Sequence, residues 1–418
     1  MKRPESPGQP QKNPFEAVPT QIAPFKLTKP KYLTVAAIRQ AGTLSRTRIA
    51  ETIGYSPSKI TSVVNDLIQE GILEEKGEGP ATGARRAREV GFNPQFGYIV
   101  VARISFSQLD IALVDFTEHI RVRRILPLAQ PNDPGEVLND ICQVVRERID
   151  KLNIPLSDIL AFSIIVPGAV DTLSGTLFDT PLMPSWGGYH IDSLIRESFP
   201  YAIVLIENEA NAMALGELRK GGVKSLRNLV YVNVGKSLNA GIILGGHIYR
   251  GANGRAGDIG QMRVEYKDSA TDTTALIPLG QVVSGMSIEK QARQLIEAGA
   301  DTMLNHTDPA SLTVRDVGTA ATEGDPVATQ IIQQSGQVLG ETLANIVNFM
   351  DPDLVLIGGT VGNSAPSFLA AIRRSILDRS PSLATQHLRI EIAPLGPDAS
   401  TFGAIALALE AIFACDNN

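Results

Sequence analysis

The chain is predicted to fold as a small unit of three helices closed by a β-hairpin, followed by a larger two-lobed α/β body. Three observations predict this. Short, capped amphipathic segments crowd residues 29–93, strand–turn–helix alternation takes over after Asn93-Pro94, and charge divides between the two parts. The first 95 residues hold 14 of the 38 Lys and Arg but only 9 of the 44 Asp and Glu. A basic segment on an acidic body assigns any polyanion partner to the first part.

At 418 residues the chain is too long for one core. No apolar run is long enough to cross a membrane. Met1 to Lys31 carries Lys, Pro and Gln without an apolar stretch, so no secretory signal is expected. Two cysteines, Cys142 and Cys415, make no disulfide framework, and a cytoplasmic protein with reduced thiols is expected.

Residues 1–28 lack periodicity and read as a flexible tail. A first helix is predicted over Tyr32–Gln40, broken at Gly42-Thr43-Leu44. Ser45 then caps a second helix that Gly54 ends. Ser56 caps a third, with Pro57 at a position where a missing N–H costs nothing. Ile60, Val63, Val64, Leu67 and Ile68 make its buried stripe, expected to pack on Leu33, Ile49 and Ile53. A strand from Ile72-Leu73 and another over Arg88–Phe92 flank a Gly-rich turn. The order defines a winged helix-turn-helix over residues 29–93.

In such a unit the later helix of the pair enters the DNA major groove. Its outer face here offers Ser58, Lys59, Thr61, Ser62 and Asn65, all able to hydrogen-bond, and Lys59 can reach a phosphate or guanine. Arg85 and Arg86 follow Gly83 in the wing, where arginine suits a narrow minor groove. A double-stranded operator is the expected partner. It is read by a homodimer or larger homo-oligomer, because one winged helix reads few bases.

In the body, strands are predicted over Tyr98–Ile104, Leu109–Asp115, Ile159–Ile165, Ala202–Ile206, Leu229–Val234 and Asp353–Ile357. Helices are expected around Val137–Leu152 and Val338–Phe349, and a cleft between the halves.

Five segments carry a family likeness: Ile165-Val166-Pro167-Gly168, Glu207 to Ala212, Tyr249-Arg250-Gly251-Ala252, Ala256 to Gly260, and Asp351 to Gly359. With them the sequence resembles the ROK family of repressors and sugar kinases over roughly residues 30–412. The resemblance implies an actin-like, sugar-kinase-like body over residues 94–418. It also marks departures. Where the kinases carry Asp-x-Gly-Gly-Thr, this chain has Arg103-Ile104-Ser105-Phe106-Ser107. Their second phosphate loop, Gly-Thr-Gly, is Gly235-Lys236-Ser237. The catalytic aspartate becomes Glu209, whose longer arm misplaces a base at a cost of about 10²-fold. The zinc histidine becomes Gln261, with no cysteine over Glu265–Pro278, and two sugar-binding glutamates become Asp258 and Gly280. The expectation is a DNA-binding transcriptional repressor without enzymatic activity, cofactor or metal. Its cleft keeps Asn208, Glu209 and Asp258 as partners for a small carbohydrate effector. A ROK sugar kinase with an appended DNA-binding unit, and a non-catalytic scaffold, stand as alternatives.

Overall fold

The structure is a computed structural model. It describes residues 25–78, 88–128, 133–171, 174–178, 183–223, 226–267 and 274–416. Phe25–Leu27 (β1) falls inside the stretch predicted as tail, yet it pairs in parallel with Phe413–Cys415, Phe25 opposite Phe413. The cause is aromatic burial. Phe25, Phe92, Phe96, Phe116 and Phe413 interlock, with Phe96 centred 5.1 Å from both Phe25 and Phe116. This cluster makes one continuous core of the N-terminal unit and the body.

Helix α1 (Lys29–Ala41) starts three residues before the predicted Tyr32 and ends at Gly42, where φ is +84°. Thr43–Ser45 (β2), read from sequence as part of a break, is an edge strand on the wing. Helix α2 (Arg46–Ile53) is capped by Ser45, whose Oγ accepts from the Arg48 N–H. It closes at a left-handed Gly54. Helix α3 (Pro57–Gln69) is capped by Ser56 in the same way, through the Lys59 N–H. Ile60, Val63, Val64 and Leu67 are buried in one core with Val35, Ile38 and Ile49. Leu33, expected in that core, instead faces a cleft between α1 and the body, because Val35 and Ile38 take the inward face of α1. Leu73–Glu78 (β3) and Arg88–Phe92 (β4) form the hairpin, and β4 lies between β2 and β3.

The body contains one sheet twice. Tyr98–Ile104 (β5), Gln108–Asp115 (β6), Ile120–Pro127 (β7), Ile159–Val166 (β8) and Ile203–Asn208 (β9) align as β7-β6-β5-β8-β9. Helices α4 (Pro134–Lys151) and α5 (Ile191–Ser198) belong to this first lobe, and α6 (Glu209–Lys220) leaves it. Leu229–Val234 (β10), Leu238–Leu244 (β11) and His247–Ile248 (β12) begin the second sheet. A hairpin of Arg263–Lys267 (β13) and Thr274–Pro278 (β14) follows, then helices α7 (Gly280–Val283), α8 (Gly285–Glu297), α9 (Val314–Thr322) and α10 (Pro326–Met350). Leu354–Gly358 (β15) and Arg389–Ile392 (β16) complete the order β12-β11-β10-β15-β16. Both sheets pair antiparallel across their first three strands and parallel across the rest. The duplication lives in topology, not in any sequence repeat.

After α11 (Gly359–Gly362), α12 (Pro366–Arg379) and α13 (Ser382–Thr385), helix α14 (Ala399–Ile412) returns to the first lobe and crosses α6 before Phe413–Cys415 (β17). The crossing demands glycine on both sides. A Cβ on Gly216 would stand 1.9 Å from the Ala399 carbonyl oxygen, and one on Gly403 1.8 Å from that of Ala212. Among the described residues no helix is long and apolar enough to cross a membrane.

Candidate DNA-reading face and ligand cleft

Burying one stripe of α3 turns its other face outward, so Ser58, Lys59, Thr61, Ser62 and Asn65 are all exposed. Thr61 Oγ1 donates back to the Pro57 carbonyl (2.9 Å), and Ser58 Oγ lies 3.3 Å from Ser56 Oγ. Asn65 Oδ1 accepts from Arg46 (3.1 Å), which also pairs with Glu75 at 3.2 Å. Arg88 holds the other Glu75 oxygen at 2.9 Å. The Arg88 hydrogen bond keeps the Glu75 carboxyl below its usual range. Arg46 and Arg88 thus join α2, α3 and the hairpin, an arrangement that helical spacing alone does not disclose. The Lys59 and Ser62 side chains have no partner among the described residues. Arg85 and Arg86 lie outside the described residues.

A cleft of about 440 Å³ opens between the lobes. Phe106, Gly168 and Asn208 line it from the first lobe, Lys236, Ser237 and Asp258 from the second. Asn208 sits where β9 becomes α6, and its side chain is occupied there. Oδ1 caps α6 through the Ala210 and Asn211 N–H groups, and Nδ2 donates to the Gly168 carbonyl at 2.8 Å. Asp258 is paired with Arg255 at 3.4 Å, and that guanidinium lies 5.2 Å over the Phe178 ring.

Glu209, next to Asn208 at the start of α6, is turned toward Arg103. Its Oε1 faces Arg103 Nη1 at 3.5 Å. Burial pushes the Glu209 carboxyl up, and Arg103 and Asn233 only partly return it. Arg103 also pairs with Asp110 (3.2 Å), its direct cross-strand neighbour, and Arg123 joins Asp110 (2.8 Å) to Asp398 (2.8 Å). Burial opposes the charge on Asp110, but Arg123 and Arg103 outweigh it and hold its carboxyl low. The residue at the first-loop aspartate position is therefore the residue that engages the one at the base position. Sequence comparison marks both as departures; only the fold brings them together.

A second buried pair explains two of the quoted segments. Glu207 Oε2 meets Arg250 at 2.6 Å, while Oε1 accepts from the Asn208 N–H and from Asn211 Nδ2. This ties the Glu207–Ala212 segment to Tyr249–Ala252. Gln261 is exposed, and among the described residues no group of three His, Cys, Asp or Glu could hold a metal.

The doubled five-stranded body with a cleft at its seam falls within a family match: residues 105–411 match the ROK family, and the chain belongs to it. A xylose repressor from Caldicellulosiruptor bescii is 27% identical over 380 residues, covering 91% of this chain and 95% of that protein. A solved ROK family transcriptional regulator, a homolog of the E. coli MLC protein, superposes with a TM-score of 0.77 at 23% identity. It covers 91% of this chain and 95% of its own, so the shared fold includes the N-terminal unit. A ROK family glucokinase from Streptomyces griseus, solved with glucose and AMPPNP, matches over 100% of its length but 75% of this chain. Its TM-score is 0.62 at 24% identity, a likeness of fold to the two-lobed body.

Proposed function

We propose that the chain is a DNA-binding transcriptional repressor whose ROK body senses a small carbohydrate and does not phosphorylate it. Residues 29–93 form the DNA-binding domain and residues 94–418 the sensing body, with β1 added to the seam between them. The exposed, hydrogen-bonding face of α3 carries this reading. Five polar side chains project together from a helix whose opposite stripe is fully packed. Among the described residues Lys59 and Ser62 are unengaged and so available to a groove. The repressor name of the Caldicellulosiruptor relative supports it.

The Arg103–Glu209 pair supports a body without catalysis. A general base must be free to take a proton, and phosphoryl transfer needs positioned positive charge and phosphate-cradling loops. Here the base position is held by an arginine and Phe106 stands in the first loop. Asn208 and Asp258 remain as effector contacts, with Glu209 reachable only if Arg103 releases it. The protein acts in the cytoplasm, as a homodimer or larger homo-oligomer on a double-stranded operator.

Selection of DNA from random sequence with the full chain, at stated salt, tests the reading. A single site should emerge, arranged as two half-sites. Arg85→Ala with Arg86→Ala should weaken it and flatten the log–log salt slope by about two. Enrichment of no sequence would refute the repressor, and an unchanged slope would refute the wing contacts.

A further inference from the structure

We infer that Asn65, with Arg46 as its positioning residue, selects a keto base, guanine or thymine, in each operator half-site and rejects adenine and cytosine. This rests on the repressor reading, in which α3 enters the major groove, and adds what one of its side chains reads there. A free asparagine is the usual reader of adenine, because Oδ1 accepts from N6 while Nδ2 donates to N7. Asn65 is not free. Its Oδ1 accepts from Arg46 Nη2 at 3.1 Å. A guanidinium only donates, so it sets the amide's orientation as well as holding it: the atom toward Arg46 is the oxygen. What the exposed Asn65 can offer a base is then Nδ2, a donor with no acceptor beside it.

The orientation is fixed from behind. Arg46 opens α2, and its side chain is 23% exposed, so it is held rather than left to swing in solvent. The same Nη2 also donates to Glu75 Oε1 at 3.2 Å, and the other Glu75 oxygen accepts from Arg88 Nη1 at 2.9 Å. Asn65, Arg46, Glu75 and Arg88 thus form one chain of hydrogen bonds drawn from α3, α2, β3 and β4. Turning the Asn65 amide over would set donor against donor and forfeit a charge-assisted bond. The bases sort accordingly. Guanine presents two acceptors, N7 and O6, and thymine presents O4. Cytosine presents only an amino donor. Adenine sets its amino group beside N7, and Asn65 has no acceptor left for it.

The test reads base preference at single positions. The operator selected with the full chain is resynthesised with each of the four bases at every position, changed in both half-sites together. Each duplex is titrated by fluorescence anisotropy at one salt concentration. At one position the parent should bind the guanine or thymine duplex about fivefold or more tightly than the adenine and cytosine ones, and Asn65→Ala should level the four there. Asn65→Asp keeps the bond to Arg46 and replaces the remaining donor by an acceptor, so adenine or cytosine should become the preferred base. Arg46→Met releases Oδ1 and should move the preference to adenine, whereas Arg46→Lys, still a donor, should keep guanine or thymine. Loss of a merely structural contact would weaken all four duplexes alike and move no preference. The inference is wrong, and the repressor reading stands, if Asn65→Ala levels no position, if the parent prefers adenine or cytosine at the position it levels, or if Arg46→Met keeps the parent's preference. Should Arg46→Met fail to fold, Asn65→Asp decides: an unchanged preference overturns the inference. Selection that enriches no sequence overturns both.

Discussion

The two lobes share a sheet order and differ at the hairpin where each sheet's first two strands join. In the first lobe that hairpin is closed by its own atoms. Ser105 Oγ both donates to the Gln108 carbonyl and accepts its N–H, Phe106 packs on the lobe's core, and Arg103 is locked between Asp110 and Glu209. In the second lobe the hairpin is closed by Gly235 N–H to the Ser237 carbonyl and tied to α8 by Gly285 N–H to the Gly235 carbonyl, with Lys236 exposed at its tip. One frame thus carries two chemistries. The strands need matched apolar faces and tolerate little, whereas a hairpin tip is set by few residues and can be rebuilt alone. The first hairpin is a structural joint; the second presents backbone and charge to the cleft.

The sharpest way to break this comparison is Arg103→Ala. Its side chain is 11% exposed and faces two carboxylates, of which Asp110 keeps Arg123 but Glu209 keeps no cation. Removing one member of a buried pair strands the other, and we expect a loss of about 3 kcal/mol in urea unfolding. Loss under about 1 kcal/mol would mean that the pair does not close the first hairpin. The same variant should remain without kinase turnover in a coupled assay with magnesium, ATP and hexoses. Phe106 still fills the loop, so turnover on freeing Glu209 would restore the kinase alternative.

The next effect lies at the seam the lobes share. Glu217 on α6 is fully buried; Oε1 accepts from the Leu395 N–H at 3.0 Å, and Oε2 has no partner among the described residues. Burial pushes its carboxyl up to about 7, against the opposing Leu395 bond. The folded state therefore holds a proton that the unfolded chain releases near its ordinary 4.5. The stability from this group is fully present below about pH 4.5 and is lost as pH rises to about 7. Glu217→Gln keeps the acceptor for Leu395 and removes the titration. It should gain roughly 3 kcal/mol over the parent at pH 8, with the difference fading toward pH 4.5. A pH-independent difference would show that Glu217 does not titrate in this range.

What was legible in the sequence was what local chemistry decides. Strands β4, β5 and β10 fall on their predicted residues, and Ser45 and Ser56 cap the predicted helices, because β-branched runs and caps act within a few residues. Strands β1 and β2 were not legible. Three residues show no periodicity, and β1 exists because Phe25 meets an aromatic cluster assembled from distant chain. The site divides the same way. Arg103, Phe106, Lys236 and Glu209 stand out singly as departures from the ROK pattern. That Arg103 would reach across 106 residues to Glu209 requires the fold.

The smallest expected change in stability probes the open hairpin. Gly235 has no left-handed φ, and the atom nearest an added Cβ is Asn233 Oδ1 at 3.6 Å, an ordinary contact. Gly359, which approaches the same strand end, differs on both counts. Its φ is +83°, and a Cβ would stand 2.4 Å from the Val234 carbonyl oxygen. Gly235→Ala should therefore change stability by no more than about 0.5 kcal/mol, since relief of unfolded-chain entropy offsets any crowding. Gly359→Ala should cost more than about 1 kcal/mol, because neither its backbone angle nor its neighbour can yield cheaply. Paired urea titrations would measure both. A Gly235→Ala penalty as large as that of Gly359→Ala would show the second hairpin to be as tightly closed as the first, and the contrast between the lobes would fail.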